Sequence, residues 1–365
     1  MNPAPKSSQW SLVVASLAML VSAATLWTAK KQQVAVRQAE NLAAQQQRSQ
    51  RAAALLAQSY RADCQLAYSA IAHSVAFVGG RGVESVARIT KAPRHLSIQA
   101  MSGAMAGSQS GYSERWFWRH NLGEPMKPYA EVTLDADQMA ARRFALLGKN
   151  YLVTLGAPET VDGRRAQVLE LRPRHAIDGA RGPARRLFVD AESALTLRID
   201  AFNCALKPIS RSSLSKLDLA PPITPVTFEA PQAIMASLET RDWQGEELAQ
   251  KHQMAARKTG FLPPRPTFLP PGFELDGYGV HRCLTTGTLQ LSAFSRYTDG
   301  LNTLTIFAFK PSNSNIKKTM RGACNFGPGA MSSREDNEGR LVAVADLPQK
   351  TLERVLASAK FETTR

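Results

Sequence analysis

Catalysis and metal binding need nucleophiles, ligands or acid–base groups at workable spacing, and this chain keeps its candidates far apart. The four cysteines, Cys64, Cys204, Cys283 and Cys324, include no C-x-x-C pair and have no histidine at zinc-ligand spacing. The six histidines, His73, His95, His120, His175, His252 and His281, form no H-E-x-x-H motif and no i, i+4 pair on a helix. There is no G-x-S-x-G elbow, no glycine-rich phosphate loop and no carboxylate pair in an apolar setting. A site assembled in space leaves no local trace, but these residues support a non-enzymatic protein that uses neither cofactor nor metal.

Two other groups suit binding. Trp116, Phe117 and Trp118 stand in a row, with Tyr112 and Tyr129 near. On a strand, Trp116 and Trp118 share one face and Phe117 takes the other. Ordinary core filling is one reading. The other is the wall of an apolar ligand cavity of the kind a curved sheet encloses, to which Tyr151 and Phe188 would add. The second group is a recurrence of arginine on strands and turns: Arg164, Arg165, Arg172, Arg174, Arg185, Arg186, Arg198 and Arg211. It is either a solubilising face or a surface for an anionic partner, such as membrane headgroups or an acidic protein segment.

The elements that must position these residues begin with an apolar run. Trp10–Ala29 is twenty residues without a charge, long enough at about 1.5 Å per residue to cross a hydrocarbon core of roughly 30 Å. It reads as a signal peptide cleaved after Ala23 or as an uncleaved anchor. The anchor is favoured because the run continues through Leu26 and Trp27 to Lys30 and Lys31. The positive-inside rule disagrees with export, because Lys30, Lys31 and Arg37 outweigh Lys6. Residues 30–51 lack Pro and Gly and are polar on most faces, which predicts a spacer helix. Ala54, Leu55, Tyr60, Cys64, Leu66 and Ala67 then supply an apolar stripe for a sheet to cover.

Strand signals dominate up to residue 230. AIAHSVAFV and VESVARI read as a hairpin around Gly79, Gly80 and Gly82. HLSIQAM follows, then a Gly and Ser stretch over 102–113, ERWFWRH, KNYLVTLG, RAQVLELRP, and the pair ARRLFVD and LTLRIDAF about the turn DAESA. The expectation is a meander of six or more antiparallel strands that twists around the preceding helix. Residues 231–272 read as a polar helix and a proline-rich linker. Residues 273–365 read as a smaller domain of strands closed by the helix QKTLERVLASAKF. An exported chain would oxidise its cysteines. With these boundaries, Cys64–Cys204 and Cys283–Cys324 are the expected disulfides, against the alternative of four buried thiols in a cytoplasmic protein.

The net charge of +15 raises the question of nucleic acid. Residues 1–62 hold seven basic side chains against Glu40, and residues 263–365 hold thirteen against nine acidic ones, so the 200 residues between carry only +5. With no dense basic stripe, nucleic acid is set aside, and the charge beside the apolar run points to the inner membrane surface instead.

VDGRRAQVLELRPRH, ARRLFVDAESALTLRIDAF and the return to TPVTFEAP resemble the LolA-like domain of the periplasmic sigma-E regulatory proteins of the RseB/MucB family. FLPPGFEL, FSRYTDGLNTLTIFAF and VAVADLPQKTLERVLASAK are similar to that family's carboxy-terminal domain in order and spacing, so the resemblance spans roughly residues 52–360. It implies an α+β fold: a LolA-like curved antiparallel half-barrel covered by helix over 52–230, then a smaller α+β domain over 273–365. It also implies an envelope-stress regulator that binds the periplasmic part of an anti-sigma-like single-pass membrane protein and senses a lipid or lipoprotein ligand in the half-barrel. The rival reading is a periplasmic carrier of lipid or lipoprotein acyl chains. Either function places the chain in the periplasm, tethered to the inner membrane where the anchor is kept.

Overall fold

The structure is a computed structural model that describes residues 7–78, 81–113, 116–120, 130–132, 136–177, 184–229, 248–285, 288–309, 330–335 and 339–360. Residues 1–51 and 52–365 form two compact units. Helix α1 (Ser7–Gln65) is uninterrupted by Pro or Gly. In the first unit, Val34, Val36 and Leu42 are exposed, in keeping with a spacer that buries no stripe. The side chains of the apolar run Trp10–Ala29 lie outside the described residues. Among the described residues, no helix is long and apolar enough to cross a membrane.

In the second unit the described strands build a twelve-stranded antiparallel sheet. Its strands are β1 (Tyr68–Val78), β2 (Arg81–Ala92), β3 (His95–Ala100), β4 (Gln109–Ser113), β5 (Trp116–His120), β6 (Ala130–Val132), β7 (Tyr151–Leu155), β8 (Glu159–Val161), β9 (Arg164–Pro173), β10 (Ala184–Asp190), β11 (Thr196–Phe202) and β12 (Pro208–Asp218). The order is β6-β5-β4-β3-β2-β1-β12-β11-β10-β9-β7, with β8 also on β9. Two meanders therefore meet where β1 pairs with β12, from Ser69 opposite Asp218 to Ala76 opposite Ser210. The expected β1–β2 hairpin and the turn between β10 and β11 are present.

Period-two alternation sorts the side chains of β9 and β10 into two cores. On one face Leu169, Leu171, Leu187 and Val189 pack with Val153 and Tyr151 beneath Ala52 and Leu56 of α1 and Leu147 of α2 (Ala136–Asn150). Each fully buried leucine here contributes about 1.5–3 kcal/mol. On the other face Ala166, Val168 and Phe188 join Val161 and Leu197. The sequence reading passed from WFWRH to KNYLVTLG without α2, whose Phe144 and Leu147 sit three apart on its buried side and whose Phe144 ring meets Tyr60 edge-on at 5.4 Å.

The second sheet holds β14 (Glu274–Thr285), β15 (Thr288–Thr298), β16 (Thr303–Phe309), β17 (Ala330–Glu335) and β18 (Arg340–Ala345), ordered β14-β15-β16-β18-β17. A short pair, β13 (Arg265–Pro266) and β19 (Ala359–Lys360), lies beside it. Leu304, Ile306, Leu341 and Ala343 pack against Leu352, Val355 and Leu356 of helix α4 (Gln349–Ser358). Ala255 of helix α3 (Leu248–Thr259) and Phe261 enter the same core, with Phe268 and Leu269 against it. The described part of the stretch read as a linker thus helps build the second core.

A polar joint fastens the two sheets through the turn between β15 and β16. Tyr151 Oη donates to Asp299 Oδ2 at 2.6 Å and accepts from Asn302 Nδ2 at 2.6 Å. Asp299 Oδ1 accepts the amides of Leu301 and Asn302 at 2.9 and 2.7 Å. Asn150 Nδ2 donates to the carbonyls of Gly272 and Asp299, both at 2.9 Å. Arg185 Nη2 reaches Asn302 Oδ1 at 3.2 Å and Asp346 Oδ2 at 3.5 Å. Gly300, at φ +99°, lies flush on α2, where a Cβ would come within 2.7 Å of Arg143 O and Leu147 N. Only glycine fits both that conformation and that approach.

The cysteine expectations need correcting. Cys64 and Cys204 are both thiols, so the expected bridge between them is not made. Cys64 is exposed near the end of α1. Cys204 sits in the turn after β11, where its Sγ faces Asp346 O of the second sheet at 3.8 Å. Burial, reinforced by the Asp346 charge, pushes the Cys204 thiol up to about 11, so at neutral pH it stays protonated and unreactive. Cys283 lies on β14 opposite Gln290. Cys324, and with it the second expected bridge, falls outside the described residues.

The arginine pattern also resolves. Six of its eight members are spent on intramolecular ion pairs: Arg164 with Asp190, Arg172 and Arg186 with Glu170, Arg185 with Asp346, and Arg198 and Arg211 with Asp200. Arg164, Arg186 and Arg211 bridge adjacent strands, Arg172 and Arg198 pair within their own strand, and Arg185 reaches across to the second domain. Burial alone would raise the Asp200 carboxyl, but hydrogen bonds from Arg198 and Arg211 outweigh it and hold the carboxyl below the usual carboxylate range.

Two outcomes follow from these contacts. The depressed Asp200 makes its contribution above the unfolded-state value of about 3.9 and loses it as pH falls through the lower folded-state value. Urea denaturation of Asp200→Asn should therefore show a loss of roughly 1–3 kcal/mol near neutral pH, with the gap from wild type closing in acid. Gly300→Ala should cost on the order of 1–3 kcal/mol and act on the joint: calorimetry should resolve two melting transitions where the wild type shows one.

Candidate functional site

The described residues line an open pocket of about 470 Å³ between the last turns of α1 and strands β9 to β12, within the range of roughly 300–1,000 Å³ usual for ligand pockets. The helix supplies Ser59, Tyr60 and Asp63. The sheet supplies Leu171, Leu187, Ile199 and Leu214, together with Ser212 and Ser213. Tyr68 closes one side. Leu301, from the joint turn of the second sheet, closes another, and Arg185 stands in the wall as well as in the joint.

Local structure explains why this wall holds these groups. Tyr60 belongs to the apolar stripe of α1, and its helical spacing from Leu56 carries it toward the sheet. Ile199 is 40% exposed, so it marks the mouth. Ser59 Oγ and Thr196 Oγ1 are 2.8 Å apart and satisfy each other across the helix–sheet gap.

The charges around the cavity are already matched. Asp63 pairs with the buried Lys91 at 2.7 Å. Arg198 holds Asp200 and lies over the Phe188 ring, 4.2 Å from its centroid. Arg185 spends its guanidinium on Ala184 O at 3.0 Å, Asn302 and Asp346. Burial raises the Tyr60 and Tyr68 hydroxyls, so both stay neutral. The site therefore presents an apolar interior and a neutralised rim, chemistry suited to an uncharged hydrocarbon portion of a ligand. Among the described residues, no group of three His, Cys, Asp or Glu side chains is placed to hold a metal ion.

Of the five aromatic candidates, the three whose side chains are described, Trp118, Tyr151 and Phe188, are not among the residues that line this cavity. Tyr151 is buried in the joint, its hydroxyl pushed up first by burial and then by Asp299. Phe188 is buried on the opposite face of β10, under Arg198. Both are packing residues, because the pleat turns them away from α1 or their hydroxyl is claimed by the second sheet. Trp118 is 4% exposed, and its ring lies over Gly111 of β4, where a Cβ would come within 2.9 Å of Cζ2. Among the described residues its indole N–H finds no acceptor. Trp116 is paired through its backbone with Ser113 and Val132, and its side chain, like all of Tyr129, lies outside the described residues. Sequence reasoning missed Ser59, Asp63, Arg185 and Leu301 as site residues. The α1 stripe and the YTDGL segment were its available signals, the first pointing at the sheet and the second at the joint turn.

Residues 131–232 match the MucB/RseB N-terminal domain family. No curated relative matches the chain. Among solved structures, the chain is similar to MucB of the Pseudomonas aeruginosa MucA/MucB complex, at 19% identity and a TM-score of 0.60, covering 86% of this chain and 99% of that one. It is similar at the same identity to MucB in complex with MucA(peri), with a TM-score of 0.57 over 86% and 100% of the two chains. MucB alone gives a TM-score of 0.55 over 85% and 98%, again at 19% identity. The chain therefore has the fold of these MucB structures over most of its length, and residues 131–232 within it match the MucB/RseB N-terminal domain.

Proposed function

We propose that this protein is a non-enzymatic envelope-stress regulator that binds the periplasmic part of an anti-sigma-like single-pass membrane protein and holds a lipid or lipoprotein acyl chain in the cavity under α1. The observation that carries the reading is the joined pair of domains: the match to MucB runs over nearly the whole of that chain, and MucB is found in complex with MucA. The cavity adds the ligand, because its apolar interior and self-matched charges suit a hydrocarbon chain. A periplasmic location, with the basic residues after the apolar run against the inner membrane, completes the proposal.

A carrier of acyl chains uses the same cavity but has no need of the joint, and it must leave the membrane. Amino-terminal sequencing of the native protein, with protease access to intact spheroplasts, separates the two. A retained anchor on the periplasmic side supports the regulator; an amino terminus at Ala24 with lipid in the purified protein supports the carrier.

Two further outcomes test the assignment. Crosslinking in intact cells followed by purification should recover one single-pass membrane protein in stoichiometric amount, and recovery of none from membranes that contain the chain would sink the partner. For the cavity, Ile199→Trp at the mouth should reduce binding of the fluorescent fatty acid cis-parinaric acid about tenfold or more while the protein stays folded. Trp118→Ala should lower stability by about 3–5 kcal/mol and leave that binding unchanged.

A further inference from the structure

The cavity and the joint share two residues, which makes the site more than a store for a ligand. Leu301 lines the cavity from the second sheet, and it also packs on the core formed by α1, α2 and β7. Its amide is held by Asp299 Oδ1, inside the network that receives Tyr151. Arg185 lines the cavity from β10, and its Nη2 spans to Asn302 and Asp346 of the second domain. We infer that an acyl chain in the cavity is sensed by the second domain through Leu301 and Arg185, so that ligand binding and closure of the joint stabilise each other. This rests on the cavity reading above and adds its regulatory consequence.

The physical argument is one of shared surface. Leu301 is half-buried, so a hydrocarbon chain beside it gains contact only while the 299–302 turn is seated against α2. Ligand bound to the closed joint therefore holds more apolar contact than ligand bound to an opened one. Binding free energies are reciprocal: what the joint adds to ligand affinity, the ligand adds to the joint. The turn is well suited to respond. Asp299, Asn302 and Tyr151 are buried and directly bonded to one another, so withdrawing the turn breaks both bonds to the Tyr151 hydroxyl together and leaves a lone pair of Asp299 unmet.

The test uses the full chain, cis-parinaric acid as the probe, and hydrogen exchange read by mass spectrometry. In the wild type, the probe should slow exchange over residues 299–302 by about fivefold or more. Gly300→Ala, which adds no atom to the cavity but unseats the turn that carries Leu301, should weaken probe binding by a similar factor. Leu301→Ala keeps the Asp299 and Tyr151 bonds but removes the shared surface; it should bind the probe about fivefold more weakly and, with probe at saturation, lose the protection at 299–302. It also guards against Gly300→Ala failing to fold. If the wild type binds the probe and 299–302 exchange unchanged, the coupling is overturned and the cavity reading stands. If the wild type and Ile199→Trp are equally unable to bind the probe, the cavity reading falls and the coupling with it.

Discussion

A buried carboxylate decides the arrangement of this molecule. Asp299 is 4% exposed, and removing such a group from water is costly unless every lone pair is met. Four donors meet it: the Tyr151 hydroxyl, the Asn302 amide group, and the backbone amides of Leu301 and Asn302. Three of these lie in its own turn and the fourth comes from the first strand after α2. The turn is therefore fully satisfied only when it is docked on the other sheet, and the domains are held by a requirement for hydrogen bonding as much as by apolar area. Gly300 makes the docking sterically feasible, and Arg185 and Asn150 extend the same network outward.

Much of the architecture was legible in the sequence because it rests on local period and turn chemistry. The hairpin of β1 and β2, the DAESA turn and the closing helix are each coded by alternation, by Asp190 accepting from Ser193, or by apolar spacing within a few residues. The α2 helix was missed for a different reason. It lies between aromatic and β-branched segments that dominate any window, and its inward face is defined by Phe144 and Leu147 with the loop that docks there. Its purpose is visible only once residues more than a hundred positions away are set against it.

The site was less legible than the fold. Bulky aromatics are the natural candidates for an apolar cavity, yet Tyr151 and Phe188 are consumed by the joint and by the reverse face of the sheet. The walls are ordinary leucines and serines whose identity as lining depends on which way the pleat turns at β10 to β12 and on where α1 stops. Likewise, most of the arginines that looked available to an anionic partner meet carboxylates of this chain, on the same strand, on a neighbouring one or in the second domain, and nothing in spacing alone tells which carboxylate each will meet. The Cys64–Cys204 pairing failed on the same ground: a shared domain does not bring the end of α1 to the turn after β11.

The pairing of β1 with β12 has a consequence for how the chain is made. The centre of the large sheet closes only when Ser69 finds Asp218, so the strand that follows α1 waits for the whole first domain to be synthesised before its outer edge is covered. Contacts of such long sequence separation make folding slow, and an unpaired edge of eleven residues is a template for association while it lasts. A chain built this way benefits from an escort, and from being held apart from its own copies, until β12 arrives.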